Sequence, residues 1–220
     1  IGLPSDLWVP STDRVKPQHS SQVALGIAKD LKLKEADFEI SVEGYYKKSK
    51  NIIGYKEGAS FINISGLTNG QEYKFSYEDV VTSGLCDSYG AEFFFQKKTG
   101  KFTGWIGYTL SWTWLQFDDL NFGKRFPARY DRRHDISLVG TYKLTDRITL
   151  SAVWVYGTGN AISLPLSSYS VPLTPYSNDN KGGYNNFFTS DYGGKNSFRM
   201  SNYHRLDLSV QFKKKKYFTT

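Results

Sequence analysis

The chain has 220 residues, 39% of them hydrophobic, 16% aromatic and 22% charged, with 28 basic against 21 acidic side chains. A single Cys excludes an intramolecular disulfide framework and a thiolate metal cluster, and no apolar run is long enough for a transmembrane helix. Sixteen Tyr, fifteen Phe and five Trp beside one Met make a strand-former's composition, and much of the excess positive charge sits in the run 213–216 and does not mark a nucleic-acid face.

Seven segments alternate with a period of two, the signature of strands with one apolar face. In chain order they are 22–31, 38–48, 88–97, 102–115, 135–144, 148–157 and 205–212. Their apolar sides run Val23, Leu25, Ile27; then Phe38 to Tyr46; Tyr89 to Phe95; Phe102 to Trp114; Ile136 to Leu144; Ile148 to Tyr156; and Leu206 to Phe212. None of these alternating positions is charged, while the opposite sides are mostly small or polar. Several segments exceed the ~5–6 residues usual in globular strands and reach the ~9–11 needed to cross a bilayer at a tilt.

Short connections at 32–37, 98–101 and 145–147 alternate with long ones near 51–87, 116–134 and 158–204. Short turns on one side and long loops on the other are the pattern of an outer-membrane barrel. Aromatics fall at both ends of the segments. Tyr46, Tyr89, Trp112, Trp114, Trp154 and Tyr156 lie nearest the long loops, where a membrane-interface girdle is expected. The expected fold is therefore all-β: an antiparallel transmembrane β-barrel section of about seven strands. Seven is an odd number and would leave two unpaired edges, so residues 1–220 are read as part of one larger barrel domain.

Residues 90–114 resemble an adjacent strand pair of TonB-dependent outer-membrane receptors. The stretch Arg125-Phe126-Pro127-Ala128-Arg129-Tyr130-Asp131-Arg132-Arg133-His134-Asp135 is similar to a loop-to-strand motif of the Bacteroidetes branch. So is the exit 154–160 from the following strand. The resemblance covers nearly the whole chain as the C-terminal part of a barrel. It implies a 22-stranded wall, an N-terminal plug that this stretch does not contain, and coupling to the TonB complex through that missing part. It also implies nutrient uptake across the bacterial outer membrane, with outer-membrane lipid and a surface lipoprotein as further partners. Its motifs specify a structural family, not a substrate. A non-transporting barrel subunit of a surface complex and a soluble carbohydrate-binding sandwich are the alternatives.

No catalytic constellation, metal site or cofactor motif is expected. His19, His134 and His204 precede three different strands and read as rim histidines, and His134-Asp135 alone is too little for a catalytic base. Cys86 reads as an inert thiol, and 213–216 as a turn-side or headgroup contact. Ligand capture is expected in the long loops. Tyr169, Tyr176, Tyr184, Asn185, Asn186, Tyr192 and Asn196 supply flat stacking surfaces and adaptable hydrogen bonds. Arg129, Arg132 and Arg133 are candidates to clamp an anionic group, or else rim residues in ion pairs with Asp131 that fix the loop.

Overall fold

The computed structural model describes residues 10–33, 36–57, 76–172 and 186–214. In chain order come β1 (His19–Leu33), β2 (Ala36–Tyr55), a single helical turn α1 (Tyr77–Val80), β3 (Val81–Lys97) and β4 (Phe102–Phe117). A 3-10 turn (Asn121–Gly123) precedes β5 (Phe126–Pro127), β6 (His134–Lys143), β7 (Ile148–Gly157) and β8 (Ala161–Ile162). They are followed by β9 (Pro165–Pro172), β10 (Asn186–Tyr192), β11 (Phe198–Arg199) and β12 (Tyr203–Phe212). The chain is an all-β, antiparallel fold.

Its main sheet runs β1-β2-β3-β4-β6-β7-β12, with β5 alongside the end of β4. The register keeps the alternation of every strand in phase with its neighbours. Val23 faces Tyr46, which faces Tyr89, which faces Trp112. Lower down, Phe95 faces Ile106, Ile106 faces Leu138, Leu138 faces Trp154, and Trp154 faces Leu206. A slip of one residue at any pair would send a whole strand's apolar set to the other side. Ile40, Phe93, Ile106, Leu110, Leu138, Leu150 and Leu208 thus share one face, and Glu43, Glu92, Thr109, Thr141, Ser151 and Asp207 share the other. Lys29 and Lys97 prolong the apolar face toward the short turns, Lys97 lying 6.0 Å over the Phe38 ring.

The polar face is less uniform than the alternation predicts. Phe94 and Trp105 stand on it with ring centroids 6.0 Å apart, and the register continues from Trp105 to Val139 and Val153. A packing patch therefore sits on that face near the short turns.

Among their described residues all three long connections are more ordered than their composition predicts, the 116–134 stretch through the 3-10 turn and β5. Asn51 adopts a left-handed φ of 58° at a bulge, after which β2 pairs with β3 again from Ile52 and Gly84 to Tyr55 and Val81. Within 158–204, β9 pairs β10 and β8 pairs β11.

What little core exists lies on the polar face near the long loops. Phe117, Leu120 and Phe126 are buried together, with Ile52 and Leu115 packed against them. On β3, Thr82, Gly84 and Cys86 are covered by this cluster's side of the sheet, while Ser83 and Leu85 on the apolar face stay exposed. The apolar face has no such buried cluster among the described residues: on the interior strands, Phe93 is 43% and Ile106 42% exposed.

Candidate functional site

The long loops fold over the polar face, and the unpaired edge of β4 dictates how. β6 stops opposite Leu110, so the remaining backbone groups of β4 need other partners. Segment 126–133 supplies them. β5 pairs with Trp114 and Leu115, Ala128 N–H donates to the Thr113 carbonyl at 2.9 Å, and Ser111 N–H donates to the Arg133 carbonyl at 3.2 Å. Between them, Thr113 N–H donates to Asp131 Oδ1 at 2.6 Å, a carboxylate standing in for a strand.

Asp131 is the charged centre of the loop assembly, its side chain 1% exposed. Arg133 donates to its Oδ2 at 3.3 Å, and Arg199 donates to the same carboxylate and to the Asp131 backbone carbonyl. Arg133 also donates to the Ser111 carbonyl at 2.8 Å and lies 4.6 Å over the Trp112 ring. Burial lowers the Arg133 pKa, the neighbouring Asp131 raises it, and Arg199 lowers it further. Guanidinium basicity is high enough that the group stays charged regardless.

Thr158 caps the same junction: its Oγ1 accepts from Arg133 N–H at 2.7 Å and from His134 N–H at 3.1 Å. Arg132 donates to Asn160 Oδ1 at 3.1 Å and stands 3.5 Å from Asp135. Arg129 is exposed, and its carbonyl accepts from Ala161 N–H at 3.2 Å. Of the three candidate arginines, two are thus held in the loop-to-loop junction and one faces outward. Met200 N–H donates to the Asn160 carbonyl at 3.0 Å, and a side chain at Gly159 would collide with the Met200 carbonyl, so only glycine permits this approach.

Beyond the junction, the loops enclose a cleft of about 680 Å³ bordered by Glu57, Asp118, Asp119, Phe122, Tyr192 and Lys195. Asn121 Oδ1 accepts from Lys195 N–H at 2.9 Å and ties its two walls together. Asn196, at a left-handed φ of 53°, donates from Nδ2 to the Pro127 carbonyl at 2.9 Å. Tyr192 therefore lines the cleft, Tyr169 lies exposed in β9 opposite Thr189, and Asn186 opens β10 opposite Pro172. Tyr176, Tyr184 and Asn185 lie outside the described residues.

A second cleft of about 560 Å³ lies on the polar face beside Lys47, Ser49, Cys86, Leu115, Phe117 and Tyr130. Burial, reinforced by the nearby Cys86, raises the Tyr130 hydroxyl pKa. Stacking rings and hydrogen-bonding side chains around open clefts suit reversible capture of a ligand.

The six aromatics expected at a membrane interface share the apolar face, each toward the long-loop end of its strand. Tyr89 stacks on Trp112 at 5.4 Å, and Trp154 on Tyr156 at 6.1 Å. Tyr46 donates to Asp87 Oδ1 at 3.0 Å, Arg125 lies 5.9 Å over the Trp114 ring, and Asn202 donates to the Tyr156 hydroxyl at 2.8 Å. His134 Nδ1 shares a 2.9 Å hydrogen bond with the Tyr108 hydroxyl, while His19 and His204 stand on the two outermost strands. Among the described residues, no group of three His, Cys, Asp or Glu is arranged to hold a metal ion.

The residues that build the assembly and escaped the sequence reading are Arg199, Thr158, Asn121 and Lys195. Their partners lie far away along the chain, and no local spacing announces them. No family model, curated protein or solved structure matches the chain.

Proposed function

We propose that this chain is a section of the barrel wall of a TonB-dependent outer-membrane receptor, with its long loops serving nutrient capture. One observation carries the reading: the two faces of a single sheet are treated differently. Seven strands turn one way a surface that is apolar between its charged ends and, among the described residues, carries no buried cluster, while the loops close over the long-loop end of the other. In water such a surface is costly; burying one Leu or Phe side chain is worth roughly 1.5–3 kcal/mol. Lipid around the apolar face removes that cost without a second protein layer, and the aromatic row near the long loops fits the membrane–water boundary.

The polar face then becomes the lumen wall. Glu43 and Glu92 stand directly opposite each other there, and no described cation pairs with either. Like charges at such a position favour a counter-charge from whatever fills the lumen, and the Phe94–Trp105 patch offers that filling an apolar seat. A plug domain is the filling that the resemblance implies. β1 and β12, each paired on one side in the main sheet, join the remaining strands of the wall. Energy coupling belongs to the plug and its TonB contact, and the clefts between the long loops are where a nutrient meets the receptor first.

The test is location and folding of the full-length protein. It is expected in the outer-membrane fraction, with a gel mobility that shifts on heating. Recovery as a soluble, detergent-free monomer contradicts the reading.

A further inference from the structure

The apolar face carries a localised cluster of cations immediately beyond its aromatic row, and we infer that Lys48, Lys50 and Arg125 bind the phosphate groups of a phosphorylated membrane lipid on the outer surface of the wall. The inference rests on the lipid-facing orientation proposed above.

The register places the groups. Tyr46, Lys48 and Lys50 follow one another along the same face of β2. The row holding Tyr46 continues through Tyr89 to Trp112. One row further toward the long loops, Lys48 stands directly opposite Asp87, and Asp87 opposite Trp114. Arg125 reaches across Trp114 and donates to Asp87 Oδ2 at 3.0 Å, so its guanidinium sits over β3, the neighbour of β2. Strands lie about 4.8 Å apart and same-face residues about 6.6 Å, so Lys48, Lys50 and the Arg125 guanidinium fall within reach of one headgroup.

Charge makes the cluster specific. Three cations face one carboxylate, and that carboxylate is already shared by Arg125 and the Tyr46 hydroxyl. Lys48 and Lys50 are exposed, and no ion pair engages them among the described residues. Arg125 is positioned on two sides, by the ring and by Asp87, which lowers the entropy lost when it binds an anion. The cluster is a sector, not a ring. At the same end of β7 and β12, the apolar face presents Tyr156 and His204 instead. A phosphorylated headgroup has the matching charge, and its acyl chains continue onto Val23, Val42 and Phe93 below.

The experiment uses the full-length receptor purified in detergent, with bisphosphorylated lipid A and its dephosphorylated form as probes. Thermal unfolding is followed for the wild type, for the double variant Lys48→Gln/Lys50→Gln, and for the triple variant that adds Arg125→Gln. The double variant keeps the Arg125–Asp87 pair and hence the local fold. Phosphorylated lipid is expected to raise the wild-type midpoint by several degrees. That rise should fall by at least half in the double variant and vanish in the triple, while dephosphorylated lipid should shift none of them. Equal shifts in wild type and double variant, or equal shifts from the two lipids, overturn the inference. Absence of the wild type from the outer-membrane fraction would overturn the membrane reading itself, a separate result obtained before any lipid is added.

Discussion

Asp131 and Arg199, separated by 68 residues, form an ion pair that joins the loop after β4 to the loop before β12. With Arg133 and the Thr113 N–H completing its coordination, Asp131 holds the loop assembly over the polar face. The two loops that contribute most of the proposed capture surface are therefore joined into one unit.

Substituting Asp131 by Ala is expected to release that unit. Breaking a buried ion pair costs about 3–5 kcal/mol, reduced here to roughly 1–3 because both arginines keep partial access to water. The loss is local, so limited proteolysis should cut within 118–133 and 186–200 while the main strands stay protected. A digestion pattern identical to wild type would show that the ion pair does not hold the loops.

Leu138 sits on the apolar face between Ile106 and Trp154, and Ser137 beside it points the other way. On the proposed lipid-facing orientation, Leu138→Arg should destabilise the protein in lipid by about 2–4 kcal/mol, the cost of a charged side chain near mid-bilayer on a lipid face. Ser137→Arg should have a much smaller effect. Urea unfolding from vesicles measures both, and equal losses would contradict the assignment of faces.

The short-turn side carries its own ionic contact. Lys98 lies 2.9 Å from both Asp30 and Glu39, and hydrogen bonding to Glu39 and then to Asp30 raises its pKa. A raised Lys pKa contributes stability that is complete below the unfolded value, about 10.4, and is lost as pH climbs through the folded one. Lys98→Met should therefore differ from wild type at pH 8, and the difference should shrink steadily above about pH 10. Because the group is exposed, 1 M salt should also shrink it. A difference that is constant with pH would remove the ionic explanation.

Capture is proposed for the loops, so removing residues 176–192 should lower the occupancy of any ligand that copurifies with the full-length protein by roughly tenfold or more, since aromatic anchors dominate binding. Loop shortening costs little closure entropy, and heat-modifiable mobility should persist. Full occupancy in a folded deletion variant would move capture elsewhere.

The strands were legible because period-two alternation is local, and each of the seven segments carries its own faces. The extension of β2 to Tyr55 was hidden for a physical reason. At the Asn51 bulge two residues occupy one pairing position, so Ile52 turns to the face that Lys47 and Ser49 occupy and the alternation changes phase. The junction was half legible. Arg132, Arg133 and Asp131 stood out as a charged run, but their pairing with Asn160 and Arg199 depends on contacts that only the folded loops create. The Phe94–Trp105 patch was concealed among the small and polar residues that alternate around it.

The central claim is that the two faces meet different surroundings, and depth-resolved quenching tests it most directly. With Cys86 replaced by Ser, this chain within the full-length protein takes single cysteines at Phe93, Leu138 and Leu208, or at Glu92, Thr141 and Asp207. Each is labelled with a fluorophore and reconstituted in vesicles of lipids brominated along the acyl chains. The account predicts strong quenching at the first three positions and little at the second three. Quenching of equal strength at Leu138 and Thr141, or at Phe93 and Glu92, would contradict it.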